Sequence, residues 1–271
     1  DTEQSRIDFG NYNILSKETA DKLIGLLKTE LPEVDIVIIN QQVISGIHTE
    51  YFRERLLQLI KQFPGKKFIV DSRRYNMFYD GAIRKLNNYE AMELVGKKKN
   101  VDESVSYSEV TKAAEILYEK FGKPLFITCG ERGSLVIDEN GVAKIEGLLI
   151  LSEVDAVGAG DSYLAGAAAA LAAGYDMKTA GRIGSYVAGV TVQKLFQTGT
   201  ASPEEILEIG TDPDLVYNVE LAEDIRHARY WKDSEIEIVS EWGEKLHITH
   251  AIFDHDGTIS PLREGWEEIM A

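Results

Sequence analysis

Cysteine is all but absent: Cys129 is the only one in 271 residues. It permits neither an intrachain disulfide nor a thiolate metal cluster, which suits a reducing compartment and predicts a cytoplasmic protein. Basic residues are also scarce. Lys and Arg together number 29 against 45 Asp and Glu, a formal net charge of −16. Such a chain repels phosphate backbones and anionic lipid, so neither nucleic acid nor a membrane surface is an expected partner. An anionic ligand would need a local nest of backbone N–H groups or a metal. Long apolar runs are missing too. The longest small-apolar stretch, Ala165 to Ala173, is far short of the ~20 residues that span a bilayer, and no basic segment followed by an apolar one opens the chain. What remains is ordinary for a folded protein, 44% hydrophobic and 27% charged, which excludes disordered and fibrous classes. At roughly 100–200 residues per domain the length predicts one large domain, or one plus a fragment. A first residue of Asp1 and a motif close to the last residue predict a piece of a longer polypeptide.

Strand-like and helix-like segments alternate. Val34 to Ile39 is a β-branched run, and apolar residues at helical spacing follow from Tyr51 to Phe63. Lys67 to Val70 reads as a second buried strand. Ser106 or Ser108 caps a helix that ends at Gly122. Leu125 to Thr128 is a further strand, and Ser134–Ile137 pairs with Val142–Ile145 across the turn Asp138-Glu139-Asn140-Gly141. Gly160 to Ala173 and Met177 to Leu195 are two closely packed helices, and Ser202-Pro203-Glu204-Glu205 opens another. Continuous apolar strands between amphipathic helices predict an α/β protein of three layers, α/β/α, with a mostly parallel central sheet. Three regions are expected: a domain over 1–211, an acidic connector over 212–246, and the start of a second domain over 247–271.

The string Val157-Gly158-Ala159-Gly160-Asp161 stands between a strand-like segment and a helix. Glycines at a helix start let backbone N–H groups converge on an anion, and the macrodipole adds to the attraction. Asp161 is then placed to take a proton from a hydroxyl attacking that anion. Close packing of a Gly-rich loop on an Ala-rich helix is the structural alternative. Two further strings are Asn87-Asn88-Tyr89-Glu90 and Thr128-Cys129-Gly130-Glu131-Arg132-Gly133. Each also has a purely local reading, as a helix-start turn and as the entry to a hairpin.

In the order N-x-x-E, T-x-G-x-x-G, D-x-x-G-A-G-D (from Asp155 to Asp161), the sequence resembles the ribokinase-like (PfkB) carbohydrate kinases from about Arg6 to Glu205. The resemblance implies an ATP-dependent phosphotransferase acting on a small-molecule sugar. Asp161 would be the base, and the backbone N–H groups from Gly158 through Ala159 and Gly160 to Asp161 the anion hole. Thr128, Gly130, Gly133, Asn87 and Ser185 would hold the nucleotide. Glu90 would act through Mg²⁺, and Asp155 belongs to the loop that holds K⁺ in many relatives. A homodimer is left open. Arg6-Ile7-Asp8 and the layout Phe68 to Ser72 before Asn87 resemble heptose-7-phosphate kinases in particular.

The departures are three. The family's amino-terminal sugar-binding region has no counterpart. Asn40-Gln41-Gln42 stands where heptose kinases have Asp-Tyr-x-Lys-Gly, and Ala156 replaces a common Thr. The tail, Ile252-Phe253-Asp254-His255-Asp256-Gly257-Thr258, resembles the first motif of haloacid dehalogenase-like phosphatases. There Asp254 would be the nucleophile and Asp256 the acid/base, with their partner motifs lying beyond Ala271. The alternative function is therefore a phosphatase with a non-catalytic, kinase-like nucleotide module. Cys129 reads as a small buried hydrophobe, and His48 and His227 as surface residues. His247 and His250 point to opposite faces of a strand, which argues against zinc.

Overall fold

The computed structural model describes residues 13–43, 46–100, 103–197, 199–216, 231–232, 247 and 249–252. By internal contact the chain divides into two units, Asp1–His227 and Ala228–Ala271, and the fold below belongs to the first. Arg6, Asp8, Asp254, Asp256 and most of the connector lie outside the described residues.

Six strands form one sheet in sequence order: β1 (Ile36–Gln41), β2 (Lys67–Ser72), β3 (Ile83–Asn87), β4 (Leu125–Thr128), β5 (Ser134–Asp138) and β6 (Gly141–Ile145). The first four are parallel and the last two close the sheet as an antiparallel hairpin. The helices are α1 (Lys17–Glu30), α2 (Glu50–Gln62), α3 (Asn88–Leu94), α4 (Tyr107–Phe121), α5 (Ala159–Ala172), α6 (Met177–Val192) and α7 (Pro203–Thr211). Among the described residues no helix is long and apolar enough to cross a membrane.

The two-residue period of a strand sorts the core into layers. Phe68 and Val70 pack with α1 and α2, and Leu86, Leu125, Ile127, Leu135 and Ile137 pack with α3 and α4. Their neighbours Ile69, Phe126, Val136 and Ile145 face α5 and α6 on the other side. Three layers result, as the alternation of strands and helices predicts.

Local chemistry sets the ends. Ser106 caps α4 with a reciprocal Glu109 bond, and Gly122 closes it in the left-handed conformation at φ 58°. Ser202 caps α7, with Pro203 following it in the first turn. The sequence reading misses α1 and β3, and reaches α3 only as the local, helix-start alternative for Asn87–Glu90. In β3 the reason is visible, because Arg84 and Lys85 interrupt the apolar pattern of a central strand. Arg84 is nonetheless fully buried. Its guanidinium donates to the carbonyls of Asn76, Ala82 and Tyr79 at 2.8–3.2 Å and lies 3.5 Å from the centroid of Phe121. Burial pulls its pKa down to about 10, so it stays charged at neutral pH.

His48 is not the surface residue expected. It is buried, with Nδ1 2.9 Å from the Tyr79 hydroxyl and Nε2 3.3 Å from the Asn40 carbonyl, and burial lowers its pKa. A carbonyl only accepts, so Nε2 carries the proton and Nδ1 accepts from Tyr79.

Replacing Arg84 by Met strands three carbonyls that pin the 76–82 loop. Urea unfolding is expected to show a loss of about 2–4 kcal/mol with an unchanged m-value.

Candidate active site

The parallel strands end on polar residues, and those ends converge. Asn40 pairs with Asp71 across β1 and β2, and Asn87 with Thr128 across β3 and β4. Strand period places Asp71 on the Ile69 face and Thr128 on the Phe126 face, which is the face covered by α5. Lys85 and Asn87 share that face with Ile83. The carboxyl ends of parallel strands are where α/β sheets bind ligands.

Opposite them α5 begins. Gly158 is left-handed at φ 82°, a conformation that favours glycine, and no side chain caps the helix. Ala159 N donates to Ala156 O, and Ser162 N to Gly158 O. The amides of Gly160 and Asp161 are first-turn donors with no intrahelical acceptor of their own, as helix geometry requires.

Beneath this turn stands Lys85. Its Nζ is 2.8 Å from Asp71 Oδ2, and the two side chains are only 9% and 5% exposed. A Cβ on Gly160 would lie 2.8 Å from the same ammonium. The second glycine of the Gly-Ala-Gly string is thus explained by the room it leaves for a buried cation. Sequence reading names neither Lys85 nor Asp71 as a site residue. For Asp71 the available signal is a polar residue near the end of an apolar strand on the α5 face; Lys85, in the middle of β3, gives none.

Asn87 and Glu90 form a capping box at the start of α3. Asn87 Oδ1 accepts from Glu90 N, and Glu90 Oε2 accepts from Asn87 N, both at 2.8 Å. This is the local reading of N-x-x-E, and it leaves Asn87 Nδ2 and Glu90 Oε1 outside the box. Burial raises the Glu90 pKa, the Asn87 amide bond lowers it, nearby Asp71 raises it, and Lys85 and Arg73 oppose the rise. Among the described residues no three His, Cys, Asp or Glu side chains converge as a metal cage.

Beside the helix start lies a cavity of about 310 Å³, a size suited to a small-molecule ligand. Thr128, Gly130, Gly133, Ala159, Gly160 and Ser185 all line it, so the structure brings together six of the residues singled out in the sequence. Leu148, Ile150, Val154 and Val192 give its lining an apolar wall. Gly133 also has a strict packing role: at φ 90° its Cβ would sit 2.2 Å from the Ile145 carbonyl. Gly158, Asp161, Asn87, Glu90 and Asp155 lie outside this lining. Asp161 instead meets β1, where Asn40 Nδ2 donates to its Oδ1 at 2.9 Å. Asp155 folds onto its own turn, with Oδ1 accepting from Val157 N at 2.9 Å. Cys129 is buried as expected, and desolvation pushes its thiol up to about 12.

The three layers, the hairpin-closed parallel sheet and a cavity beside an uncapped helix start define a ribokinase-like α/β/α protein. The chain belongs to the pfkB family of carbohydrate kinases, phosphotransferases with an alcohol acceptor, and the match covers residues 42–205. Among curated proteins it is 25% identical over 264 residues to the bifunctional protein HldE of Desulfatibacillum aliphaticivorans, covering 96% of this chain and 51% of that protein. It is 27% identical over 268 residues to the HldE of Wolinella succinogenes, covering 96% and 53%. The chain therefore spans about half the length of the curated relatives it matches. Among solved structures, a phosphofructokinase-like protein of Staphylococcus aureus superposes with a TM-score of 0.61 at 22% identity, over 75% of this chain and 64% of that one. The ribokinase of Thermotoga maritima gives 0.56 at 22% identity, over 73% and 61%. These two likenesses establish the fold.

Glu90→Gln preserves the capping box, since a Gln oxygen still accepts from Asn87 N. A carboxyl whose folded pKa is raised loses stability as pH climbs from the unfolded value through the folded one. The variant is thus expected to unfold at a higher urea concentration than the parent at pH 7, with the gain vanishing below about pH 4. A difference in midpoint between variant and parent that is the same at the two pH values would contradict the burial argument.

Proposed function

We propose that the chain transfers the γ-phosphoryl group of ATP to a hydroxyl of a sugar or sugar phosphate, with Asp161 as the base. The observation that carries this reading is the pairing, in the first turn of α5, of Asp161 with uncapped amides that have Lys85 beneath them. Phosphoryl transfer asks little covalent chemistry of a protein, so positioning and charge stabilisation are most of the catalysis. In this reading the base of the nucleotide occupies the apolar wall near Val192, and its phosphates run along Gly130 and Gly133 toward Gly160. The amides of Gly160 and Asp161, with the ammonium of the Lys85–Asp71 pair behind them, take up the negative charge spread over the transferring group. Asp161 accepts the proton of the attacking hydroxyl.

Mg²⁺ accompanies the nucleotide in this reading, where it would supply neutralising charge to the phosphates. The donor set fits a water-mediated role: Glu90 is a half-buried carboxylate with one uncommitted oxygen and a second carboxylate, Asp71, nearby. The Asp155 loop fits K⁺ poorly, because one carboxylate oxygen is used within its own turn, Ala156 brings no side-chain oxygen, and its carbonyl already accepts from Ala159 N. No step is assigned to a monovalent ion.

A heptose 7-phosphate is the acceptor favoured by the resemblance of the Phe68–Ser72 layout and by similarity to proteins named HldE. An ATP-rich cytoplasm is the compartment implied. The segment around Asp254 and Asp256 is read as the opening of a haloacid dehalogenase-like domain with no part in the transfer.

The test is ADP release from the protein with heptose 7-phosphate, fructose 6-phosphate and ribose as acceptors. Turnover is expected to depend on the sugar and to fall about 10²–10⁴-fold in Asp161→Asn, the range for removing a general base. Sugar-dependent turnover that survives this substitution rejects the assignment.

A further inference from the structure

We infer that Asn40 and Gln42 are a positioning pair for Asp161, holding one carboxylate oxygen so that the other faces the incoming hydroxyl. The inference rests on the reading of Asp161 as the base, and deepens it. An ionised carboxylate only accepts, so a side-chain amide facing it must present its NH₂ group. Asn40 does this, with Nδ2 2.9 Å from Asp161 Oδ1. Its own Oδ1 is then turned away, and Gln42 Nε2 donates to it at 2.7 Å. The order from Gln42 to Asn40 to Asp161 runs in one direction, and flipping the Asn40 amide would oppose two oxygens and two donors.

The pair stands on a rigid base. Asn40 is in register with Asp71, and its carbonyl accepts from His48 Nε2, whose other ring nitrogen accepts from Tyr79. His48 and Tyr79 are both buried. The amides themselves are exposed, and neither residue lines the cavity beside α5. Neutral amides here also matter for charge. From β3, Lys85 reaches Gly160, with Asp71 of β2 upon it. Glu90 of α3 interacts electrostatically with both and with Arg73, while Asp155 precedes α5. A carboxylate at position 40, where heptose kinases have Asp with a Lys three residues on, would in this chain stand with Val43 in place of that Lys and add an uncompensated like charge about 3 Å from the base.

The experiment compares wild type, Asn40→Asp, Asn40→Ala, Gln42→Glu and Asp161→Asn by two readouts. The first is the pH profile of kcat/KM for ADP release with ATP and heptose 7-phosphate. Asn40→Asp is expected to move the acid limb up by about one pH unit or more. Gln42→Glu, which draws the Asn40 NH₂ toward itself and turns Oδ1 onto Asp161, moves it in the same direction. Asn40→Ala lowers kcat while KM for ATP stays within about twofold, since the amide touches the base and not the nucleotide cavity. The second readout needs no acceptor. The side-chain amide protons of Asn40, followed by NMR in the substrate-free protein, shift with acid pH in wild type and lose that shift in Asp161→Asn. Acid limbs that coincide for wild type, Asn40→Asp and Gln42→Glu overturn the pair, as does an Asn40 signal indifferent to Asp161→Asn. Turnover retained by Asp161→Asn overturns the base reading instead, and the amide signal still reports the coupling.

Discussion

The site is organised around a charge that the fold has taken out of water. Lys85 and Asp71 face each other at 2.8 Å, almost wholly buried, in the floor beneath the first turn of α5. An isolated ammonium could not be held there, because desolvation would expel it or strip its proton. Asp71 makes its presence tolerable, and Gly160 makes its approach sterically feasible. A buried pair of this kind contributes little net stability, since the Coulombic gain is set against two desolvation penalties. Its value in this protein is directional: it fixes a positive charge against the helix end where the phosphate is proposed to lie, without reorganisation when that phosphate arrives.

Much of this was legible in the sequence. The strands β1, β2, β4, β5 and β6 are short runs of Ile, Val, Leu and Phe bounded by turn residues, and their two-faced burial follows from the helices between them. Caps at Ser106 and Ser202 and the stop at Gly122 could be named because each rests on a local hydrogen bond or one backbone conformation. The convergence of Thr128, Gly130, Gly133, Gly160 and Ser185 on one cavity could be expected only through family resemblance, since no spacing rule links residues so far apart.

What stayed hidden shares one cause, which is long-range compensation. Lys85 in a strand reads as exposed until Asp71 is known to lie on the neighbouring strand. Arg84 reads the same way until three carbonyls of the 76–82 loop are seen to surround its guanidinium. His48 looked like a surface residue because its partners, Tyr79 and the Asn40 carbonyl, come from separate loops and strands. Asn87 and Glu90 make the opposite point. Their spacing serves a helix cap and the proposed cation role together, and geometry alone assigns only the former.

The crossing of two glycine segments behind the cavity limits how the molecule can breathe. At Gly133 and Gly147 the main chains of the hairpin entry and of the strand following it run so close that a methyl group on either would overlap a carbonyl oxygen of the other segment, at 2.2 and 1.9 Å. Two backbones wedged at that separation cannot slide past one another without collision, so this side of the cleft behaves as a stiff jamb. The wall formed by α6 is seated in the same way: a methyl group on Gly184, next to Ser185, would lie 2.8 Å from the Tyr163 carbonyl of α5, so a guest enters between two walls that are each locked by close main-chain approach.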